Sequence, residues 1–514
     1  MNIQARPPQA DPYGIDIHPL AGEVSILRDG VVLAQSTRAK VMYETRLAPA
    51  VYVPIEDVQV PLSAVTAYQT FCPFKGTAAY RDVILQDQTL PNGVWSYDRT
   101  LPESREVQGF VAFMPDSYTH MDLGQNTLRE VVQPPVSGPL IDWVLREAST
   151  LKTPDELTLA LADRLQEHGI AISRLSVLIW SLHPQIAARN MIWKKGEPGL
   201  TTYAPSYEIH DHPGYVNSPL RHVSNGLGGV RQRLDVANFK ASFPIMQDLR
   251  DQGATDYVAM PLPFSDGRIN VLTLTSDAPD GFSTADLGTI FECVFVISRF
   301  YEVFSQRETA QTLLETYVGK RTGARVLGGE IRRGDGDEID AAIMFCDLRN
   351  SSLLEEQLGR RDYIALLNRF FDSVSEVIQS QGGEVLKFIG DAVLAVFPEG
   401  HDATTASTHA LEASKQIVAA LEQINADSPH RVDCAIGLDF GRVTYGNVGS
   451  KERLDFTVIG QAANIAARLS DHGKINNDRI VMTAAIAQCC NGLRPMGAVS
   501  LHNVSTPVIC YAAG

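Results

Sequence analysis

The chain has 514 residues, 44% of them hydrophobic and 20% charged, and its 44 basic and 60 acidic side chains give a formal net charge of −16. These proportions are typical of folded proteins, and because one hydrophobic core rarely grows beyond about 300 residues, we expect about three domains. The acidic balance disfavours non-specific binding to nucleic acids and to anionic membrane surfaces.

The cysteines and the apolar segments indicate a soluble protein of a reducing compartment. The seven cysteines are scattered and form no CxxC pair, which disfavours a disulfide framework or a zinc ribbon. The first residues lack the apolar segment of a secretory signal. The most apolar helical stretch, residues 287–304, contains three charged side chains and falls short of the roughly 20 apolar residues that span a bilayer. We therefore expect a cytoplasmic protein without a membrane segment.

The N-terminal part predicts a tail and a small β domain. Residues 1–20 are rich in proline and polar side chains, and we expect a flexible tail there. Residues 21–125 alternate short apolar runs with turn residues, which predicts an all-β domain. Its segments AVYVPIEDV, CPFKG, VWSYD and VQGFVAF resemble domain-of-unknown-function family 427, which implies no particular activity. Lys75 could lower the thiol pKa of Cys72 and make it reactive; the alternative is a buried structural cysteine.

Residues 140–305 mix helical and strand patterns and predict an α+β domain. Thr153 is the expected N-cap of a helix that starts at Pro154, and the turn sequence SDGR separates two β-rich runs in a predicted hairpin. One long helix is predicted over residues 284–318, with Ser283 as its N-cap. The stretch from DYVAMPL to GFSTADL resembles a GAF domain, which implies a sensor that holds an unidentified small-molecule signal.

Two residue groups in this region each admit two interpretations. Trp180, Trp193 and Tyr257 either line the pocket of the sensor or are ordinary core aromatics, and burial statistics favour the core. The His-Asp-His sequence at residues 210–212 is either a metal site or a surface loop, and the shortness of the motif favours the loop.

Residues 339–514 alternate strands and helices after a helical connector over residues 306–338. Asp347 ends the apolar strand AIMFCD, Asp391 lies at the tip of the predicted hairpin EVLKFIGDAVLAVFP, and RVDCAIGLDFGRVTYGNVG predicts a second pair of strands. If the strands share a sheet, both carboxylates can emerge at one edge and hold Mg²⁺ on a triphosphate. Taken alone, two such aspartates are more often ordinary turn residues.

Five ordered segments change this interpretation. They are FCDLRNSSLLEE, the helix with RFF, GGEVLKFIGDAVLAVF, GLDFGRVTYGNVGS and LDFTVIGQAANIAARL. With them, residues 339–514 resemble the catalytic domain of the class III adenylyl and guanylyl cyclases, an α/β domain with a ferredoxin-like βαββαβ core. The resemblance implies a homodimer with two composite sites, because the family's metal aspartates of one chain face the nucleotide-binding residues of the other.

The resemblance implies a metal half-site. Asp347 and Asp391 match the two metal-binding aspartates, and the backbone carbonyl of Leu348 matches a further oxygen ligand. The family uses two ions, Mg²⁺ or Mn²⁺, in each site. Its usual G-F-T after the first aspartate is replaced by Asn-Ser-Ser at residues 350–352, which leaves Ser352 to supply a hydroxyl to the substrate.

The resemblance also implies a nucleotide half-site. Lys387 and Thr457 match the positions that read the base, and because both can donate to adenine nitrogens we expect ATP rather than GTP as the substrate. Asn464 matches the residue that orients the ribose, and Arg468 matches the one that holds phosphate in the transition state. His502 stands where many members have a phosphate-binding lysine, and a neutral imidazole would stabilise phosphate less.

We therefore predict a signal-regulated adenylate cyclase that converts ATP to 3′,5′-cyclic AMP and pyrophosphate, with the long helix carrying the signal of the middle domain. The alternative is a catalytically weak or inactive nucleotide-binding regulator, which the altered residues 350–352 and His502 would favour. A diguanylate cyclase is disfavoured because FIGD, rather than GG(D/E)EF, occupies the hairpin tip. A DNA-binding regulator is disfavoured by the acidic charge.

Overall fold

The computed structural model describes residues 13–45, 47–129, 138–398, 402–426 and 430–513. Its contacts divide the chain into two compact units, Met1–Thr309 and Ala310–Gly514. The first unit holds an all-β region followed by an antiparallel sheet with helices, and the second holds a mixed sheet with helices. Within the described residues, no helix combines the length and the apolar character needed to cross a membrane.

The N-terminal region confirms the predicted all-β fold. One sheet has the strand order β1-β4-β5-β9-β8-β7-β6 and the other has the order β10-β2-β3. Residues of both sheets, such as Val24, Val53 and Val111, share one apolar core. The strands are β1 (Ile15–Pro19), β2 (Val24–Arg28), β3 (Val31–Ser36), β4 (Lys40–Glu44), β5 (Ala50–Pro54), β6 (Gln69–Cys72), β7 (Gly76–Ile84), β8 (Thr89–Ser96), β9 (Phe110–Phe113) and β10 (His120–Asp122).

The first strand corrects the expected tail over residues 1–20. Residues 1–12 lie outside the described part of the chain, but β1 pairs antiparallel with β4, and Ile15 lies opposite Glu44. Ile15 also packs against an apolar cluster of this region. The alternation of Ile15 and Ile17 with polar residues carries a period-two signal, which the neighbouring prolines obscure.

The next region of the first unit is an antiparallel sheet with the strand order β13-β12-β11-β16-β15-β14. Helices flank this sheet, as the α+β expectation requires, and the SDGR turn joins β15 to β16 in the predicted hairpin. The strands are β11 (Arg174–Trp180), β12 (Ala188–Lys194), β13 (Thr201–Tyr203), β14 (Val230–Arg233), β15 (Asp256–Pro263) and β16 (Ile269–Ser276). The helices are α1 (Pro139–Arg146), α2 (Pro154–Glu167), α3 (Pro213–Val216), α4 (Pro219–Ser224), α5 (Pro244–Asp251) and α6 (Thr284–Val318).

Both predicted helix starts are confirmed. The backbone N–H of Glu156 donates to Oγ1 of Thr153 at 3.1 Å before α2. At the start of α6 the N–H of Asp286 donates to Oγ of Ser283 at 3.1 Å, and the N–H of Ser283 donates to the Asp286 carboxylate at 3.0 Å. Helix α6 ends at Val318, as predicted, and α7 (Lys320–Leu327) follows. The helical part of the expected connector 306–338 therefore ends at residue 327, and a strand already begins at residue 336.

The aromatic residues of this region belong to its core. Trp193 and Tyr257 are buried in two separate apolar clusters, so they do not line one pocket together. Trp180 stacks on His210 with ring centroids 5.1 Å apart. His210 belongs to a short 3₁₀ turn, residues 207–211, and the described residues contain no group of three or more potential metal ligands. These observations favour the core and loop interpretations.

The CPFKG segment packs against this second region of the first unit. Phe74 is fully buried in the same apolar cluster as Leu287 of α6. The Cys72 sulfur lies 3.8 Å from the carboxylate of Glu44, which also accepts a hydrogen bond from Lys75. Burial raises the pKa of Cys72 to about 11, and the opposing influence of Lys75 is smaller. The raised pKa disfavours a reactive Cys72 and favours the structural interpretation.

The second unit contains the predicted ferredoxin-like core. The chain order β17-α8-β18-β19-α9-β20 gives the βαββαβ pattern, and the full sheet has the order β18-β19-β17-β20-β22-β24-β23, with β21 paired to β20. The strands are β17 (Gly336–Leu348), β18 (Glu384–Ile389), β19 (Ala392–Pro398), β20 (Cys434–Gly449), β21 (Leu454–Ile459), β22 (Ile480–Thr483), β23 (Arg494–Val499) and β24 (Val508–Ala513). The helices are α8 (Ser351–Ser380), α9 (Ala403–Ala426), α10 (Gln461–Asn476) and α11 (Ala484–Ala487).

The strand β20 corrects the predicted pair of strands over residues 431–449. It is one continuous strand, although Gly441 in its middle suggests a turn. A Cβ at Gly441 would contact Ala462 of α10, and a Cβ at Gly437 would overlap the carbonyl oxygen of Ala466 on the same helix. Gly437 therefore lets α10 lie directly on the strand.

Candidate active site

Asp347 and Asp391 lie at the same edge of the sheet of the second unit. Asp347 is the penultimate residue of β17 and lies opposite Ala392 of β19. Asp391 occupies the two-residue turn between β18 and β19, after Gly390 with its positive φ of 63°. The N–H of Leu348 donates to the backbone oxygen of Asp391 at 3.3 Å, which ties the two positions together. The adjacency expected from the sequence is therefore present.

The two oxygens of the Asp347 carboxylate have different surroundings. Its Oδ1 atom is buried and has no hydrogen-bond partner. Its Oδ2 atom accepts from Nζ of Lys474 at 2.5 Å. Burial raises the pKa of Asp347, the Lys474 ammonium opposes this increase, and Asp391 and Asp471 add to it. The site therefore concentrates negative charge around a carboxylate with one unused oxygen.

This donor set fits a magnesium-like ion. Mg²⁺ prefers oxygen ligands and binds through one or two carboxylates, with water and substrate phosphates completing its shell. Asp347 and Asp391 would supply the carboxylates for such an ion, and the backbone carbonyl of Leu348 would supply a further oxygen. The free Oδ1 atom of Asp347 is the position that such an ion would satisfy.

The chain turns sharply between this edge and α8. Asn350 has φ 56° and ψ 32°, the left-handed conformation that asparagine tolerates better than most side chains. Helix α8 begins at the next residue, and Ser352 is exposed in its first turn. Free backbone N–H groups in the first turn of a helix attract anions. Asn350 thus supplies a positive φ at the position where the resembling family has glycine, and the N-terminus of α8 follows Asp347 closely.

Lys387 and Thr457 lie on strands β18 and β21. Lys387 pairs with the carboxylate of Asp455, which precedes Thr457 by two residues on β21. Because side chains alternate along a strand, Asp455 and Thr457 point to the same face. The pairing of Asp455 with Lys387 was not predicted from the sequence. The position of Asp455 two residues before Thr457, on the same face of a strand, could have indicated it.

Asn464 and Arg468 lie one helical turn apart on α10, so they share a face of this helix. Arg468 pairs with Asp471 at 3.4 Å. Lys474, near the end of the same helix, reaches Asp347. Among the described residues, no hydrogen bond or ion pair joins the aspartate pair to Lys387, Thr457, Asn464 or Arg468.

Arg349 fixes the end of α10 beside Asp347. The side chain is 9% exposed and donates to the backbone oxygens of Cys434 at 3.0 Å, Gly473 at 2.9 Å and Asp478 at 2.7 Å. It also reaches the oxygen of Lys474 at 3.4 Å. The sequence reasoning assigned no role to Arg349 or Lys474, because both act through contacts with residues more than 80 positions away.

Comparison with protein families agrees with this architecture. Residues 337–507 match the adenylate and guanylate cyclase catalytic domain, and residues 16–125 match a domain of unknown function, DUF427. The second unit therefore carries a nucleotide cyclase catalytic domain. More specifically, the match of this unit is to the adenylate and guanylate cyclase catalytic domain, and the N-terminal β region matches the DUF427 domain.

Two uncharacterized Mycobacterium tuberculosis proteins are similar to part of the chain. Rv1320c is 32% identical over 187 residues, which are 36% of this chain, and Rv1319c is 31% identical over 179 residues, which are 35% of it. The chain covers 32% of the length of each of these relatives.

Solved structures similar to this chain include both adenylyl and guanylyl cyclases. A bacterial light-regulated adenylyl cyclase is 30% identical, with a TM-score of 0.32, over 35% of this chain and 91% of that chain. The adenylyl cyclase CyaB from P. aeruginosa is 23% identical, with a TM-score of 0.32, over 34% of this chain and 94% of that chain. The guanylyl cyclase Cya2 is 24% identical, with a TM-score of 0.30, over 34% of this chain and 92% of that chain.

Proposed function

We propose that this chain is an adenylate cyclase, which converts ATP to 3′,5′-cyclic AMP and pyrophosphate. The observation that carries the proposal is the pair Asp347 and Asp391 at one sheet edge, with Oδ1 of Asp347 buried and unpartnered. In this reaction the ribose 3′-oxygen attacks the α-phosphate in line with the leaving pyrophosphate. Catalysis then depends on positioning and on neutralising negative charge.

In this proposal Asp347, Asp391 and the carbonyl of Leu348 hold two ions, Mg²⁺ or Mn²⁺. When bound, such ions supply positive charge to the attacking and leaving oxygens. The first turn of α8 and the hydroxyl of Ser352 receive phosphate oxygens, because they follow the aspartate edge directly. These groups orient the triphosphate against the ribose.

Base selection in this proposal belongs to Lys387 and Thr457. The Lys387 ammonium and the Thr457 hydroxyl can both donate to the acceptor nitrogens of adenine. Guanine presents donors at N1 and N2, which call for an acceptor such as glutamate at position 387. Asp455 on β21 pairs with the Lys387 ammonium and so keeps this donor near Thr457 of the same strand. Two neighbouring donors support ATP as the substrate. Cyclases of both specificities are similar to this chain, so base preference needs its own test.

The nucleotide site is composite in this proposal, and two chains form a homodimer with two-fold symmetry. Within the described part of one chain, no hydrogen bond or ion pair joins Asp347 or Asp391 to these four residues, which is compatible with sites shared between two chains. Asn464 then orients the ribose and Arg468 holds phosphate oxygens of a nucleotide bound to the aspartates of the partner.

We also propose that a small-molecule signal regulates the enzyme. The antiparallel sheet of residues 140–305 supports the GAF-like interpretation, and α6 begins in that region and ends within the second unit. A signal that shifts this helix could open or close the composite sites. The second candidate is a nucleotide-binding regulator without turnover, which the exposed His502 favours because a lysine is missing there.

The test is turnover of the purified full-length protein. ATP with Mg²⁺ or Mn²⁺ should give cyclic AMP, GTP should be a poorer substrate, and Asp391→Ala should lose at least about 100-fold in rate, as expected when a metal ligand is removed. Asp372→Ala, an exposed aspartate of α8, is the matched control and should retain activity. ATP binding without any cyclic AMP would instead favour the regulator.

A further inference from the structure

The Lys474–Asp347 pair places a protein cation on the metal carboxylate. Nζ of Lys474 lies 2.5 Å from Oδ2 of Asp347, and the side chains are 34% and 12% exposed. Asp391 and Asp471 lie close enough to destabilise the ionised Asp347 further. In the absence of a metal ion, Lys474 supplies the positive charge that this concentration of carboxylates needs.

The backbone under Lys474 is fixed. The guanidinium of Arg349 holds the backbone oxygens of Gly473 and Lys474, and Arg349 itself lies two residues after Asp347. The Lys474 side chain therefore starts from a fixed point beside the carboxylate. Its ammonium can leave Asp347 by rotation of its flexible stem, without movement of α10.

We propose that Lys474 is a tethered counter-ion which occupies the Asp347 carboxylate in the metal-free protein and competes there with the divalent ion. This inference rests on the proposed function only in taking Asp347 as a metal ligand. A divalent ion binds the carboxylate in place of the ammonium, and the nearby positive charge of Lys474 repels it. Lys474 thereby lowers the affinity of the free protein for metal, so that metal binds more tightly when a triphosphate adds negative charge.

The experiment measures Mn²⁺ binding to the full-length protein without nucleotide, by the loss of the free-ion electron paramagnetic resonance signal. Lys474→Met removes the charge and keeps the length of the side chain, and it should bind Mn²⁺ about fivefold more tightly than the wild type, the equivalent of one partly exposed ion pair. Lys474→Arg keeps the charge and should bind Mn²⁺ as the wild type does. Lys415→Met, an exposed lysine of α9, is the matched control and should change nothing.

The outcomes separate this inference from the proposed function. Asp347→Asn should abolish the saturable Mn²⁺ binding; if it binds as the wild type does, the metal role of Asp347 fails and the proposed function loses its support. If Asp347→Asn loses Mn²⁺ but Lys474→Met binds it no more tightly than the wild type, only the competition by Lys474 is refuted. A Lys474→Met protein with unchanged Mn²⁺ affinity and weakened ATP binding would show that Lys474 serves the triphosphate instead.

Discussion

Replacing Arg349 by methionine tests whether this side chain ties the end of α10 to the aspartate edge. Methionine retains most of the apolar stem and removes every donor. The backbone oxygens of Cys434, Gly473 and Asp478 would lose their bonds of 2.7–3.0 Å to Arg349, which is 9% exposed, although Gly473 keeps the N–H of Asp478 at 3.0 Å. The expected result is a destabilised second unit and a displaced α10.

The magnitude follows from the three lost hydrogen bonds. A buried acceptor without a partner costs about 1–3 kcal/mol. Partial access of water to the end of α10 favours the lower half of this range for the oxygens of Cys434 and Asp478, and Gly473 keeps another partner, so we expect a loss of about 3 kcal/mol in the free energy of unfolding. In a unit of about 200 residues, each kcal/mol lowers the melting temperature by about 2–4 °C, and the expected decrease is about 10 °C.

The assay can separate the two units because every tryptophan of the chain lies in the first one, at residues 95, 143, 180 and 193. Urea unfolding of Arg349→Met, followed by circular dichroism, should show an earlier transition, whereas tryptophan fluorescence should report an unchanged midpoint. Arg442→Met removes an arginine with a 69% exposed side chain that pairs with Asp340 on the surface, and it should change stability by less than about 0.5 kcal/mol. If Arg349→Met also loses less than about 0.5 kcal/mol, Arg349 does not stabilise the end of α10.

Two further predictions concern buried titratable groups. Burial raises the pKa of Asp439 to about 6, so the folded protein binds more protons than the unfolded chain between about pH 4 and pH 6, and its stability falls as the pH rises through this window. The free energy of unfolding of Asp439→Asn, measured in urea, should therefore rise by about 2–3 kcal/mol relative to that of the wild type as the pH increases from 4 to 7. A difference between the two proteins that does not change with pH would contradict this. Cys72, whose pKa burial raises to about 11, should react with iodoacetamide at pH 7 at least tenfold more slowly than Cys489, measured by peptide mass spectrometry, and equal rates would argue against its burial.

The local signals in the sequence predicted much of the fold correctly. The caps at Thr153 and Ser283, the long helix α6 and the hairpin that presents Asp391 all depend on neighbouring residues, whose preferences are readable along the chain. The errors arose where tertiary packing decides. The predicted pair of strands over residues 431–449 is one continuous strand, β20, and α10 packs closely against it at Gly437. Strand β1 needed its partner β4 to be recognised.

The same distinction applies to the site. The sequence motifs placed Asp347 and Asp391 at one edge, and the structure contains that arrangement. Lys474 and Arg349 escaped prediction because nothing adjacent in the sequence marks them, whereas Asp455 was missed although it lies two residues before Thr457. Lys474 acquires its place only when α10 packs on β20 and brings position 474 to a carboxylate 127 residues earlier. A basic residue near the end of a helix is common for other reasons, including the helix dipole.

Helix α10 connects the two proposed half-sites within one chain. It carries Asn464 and Arg468 nearer its start and Lys474 near its end, about 15 Å from Asn464 and about 9 Å from Arg468 along the helix axis. Gly437 leaves no room for the helix to move toward the sheet, since even a Cβ there would overlap Ala466. Arg349 holds the far end. When a metal ion replaces the Lys474 ammonium at Asp347, only the flexible Lys474 side chain would then need to move. Asn464 and Arg468, which are proposed to bind ribose and phosphate, would keep their positions as the metal ion binds and dissociates.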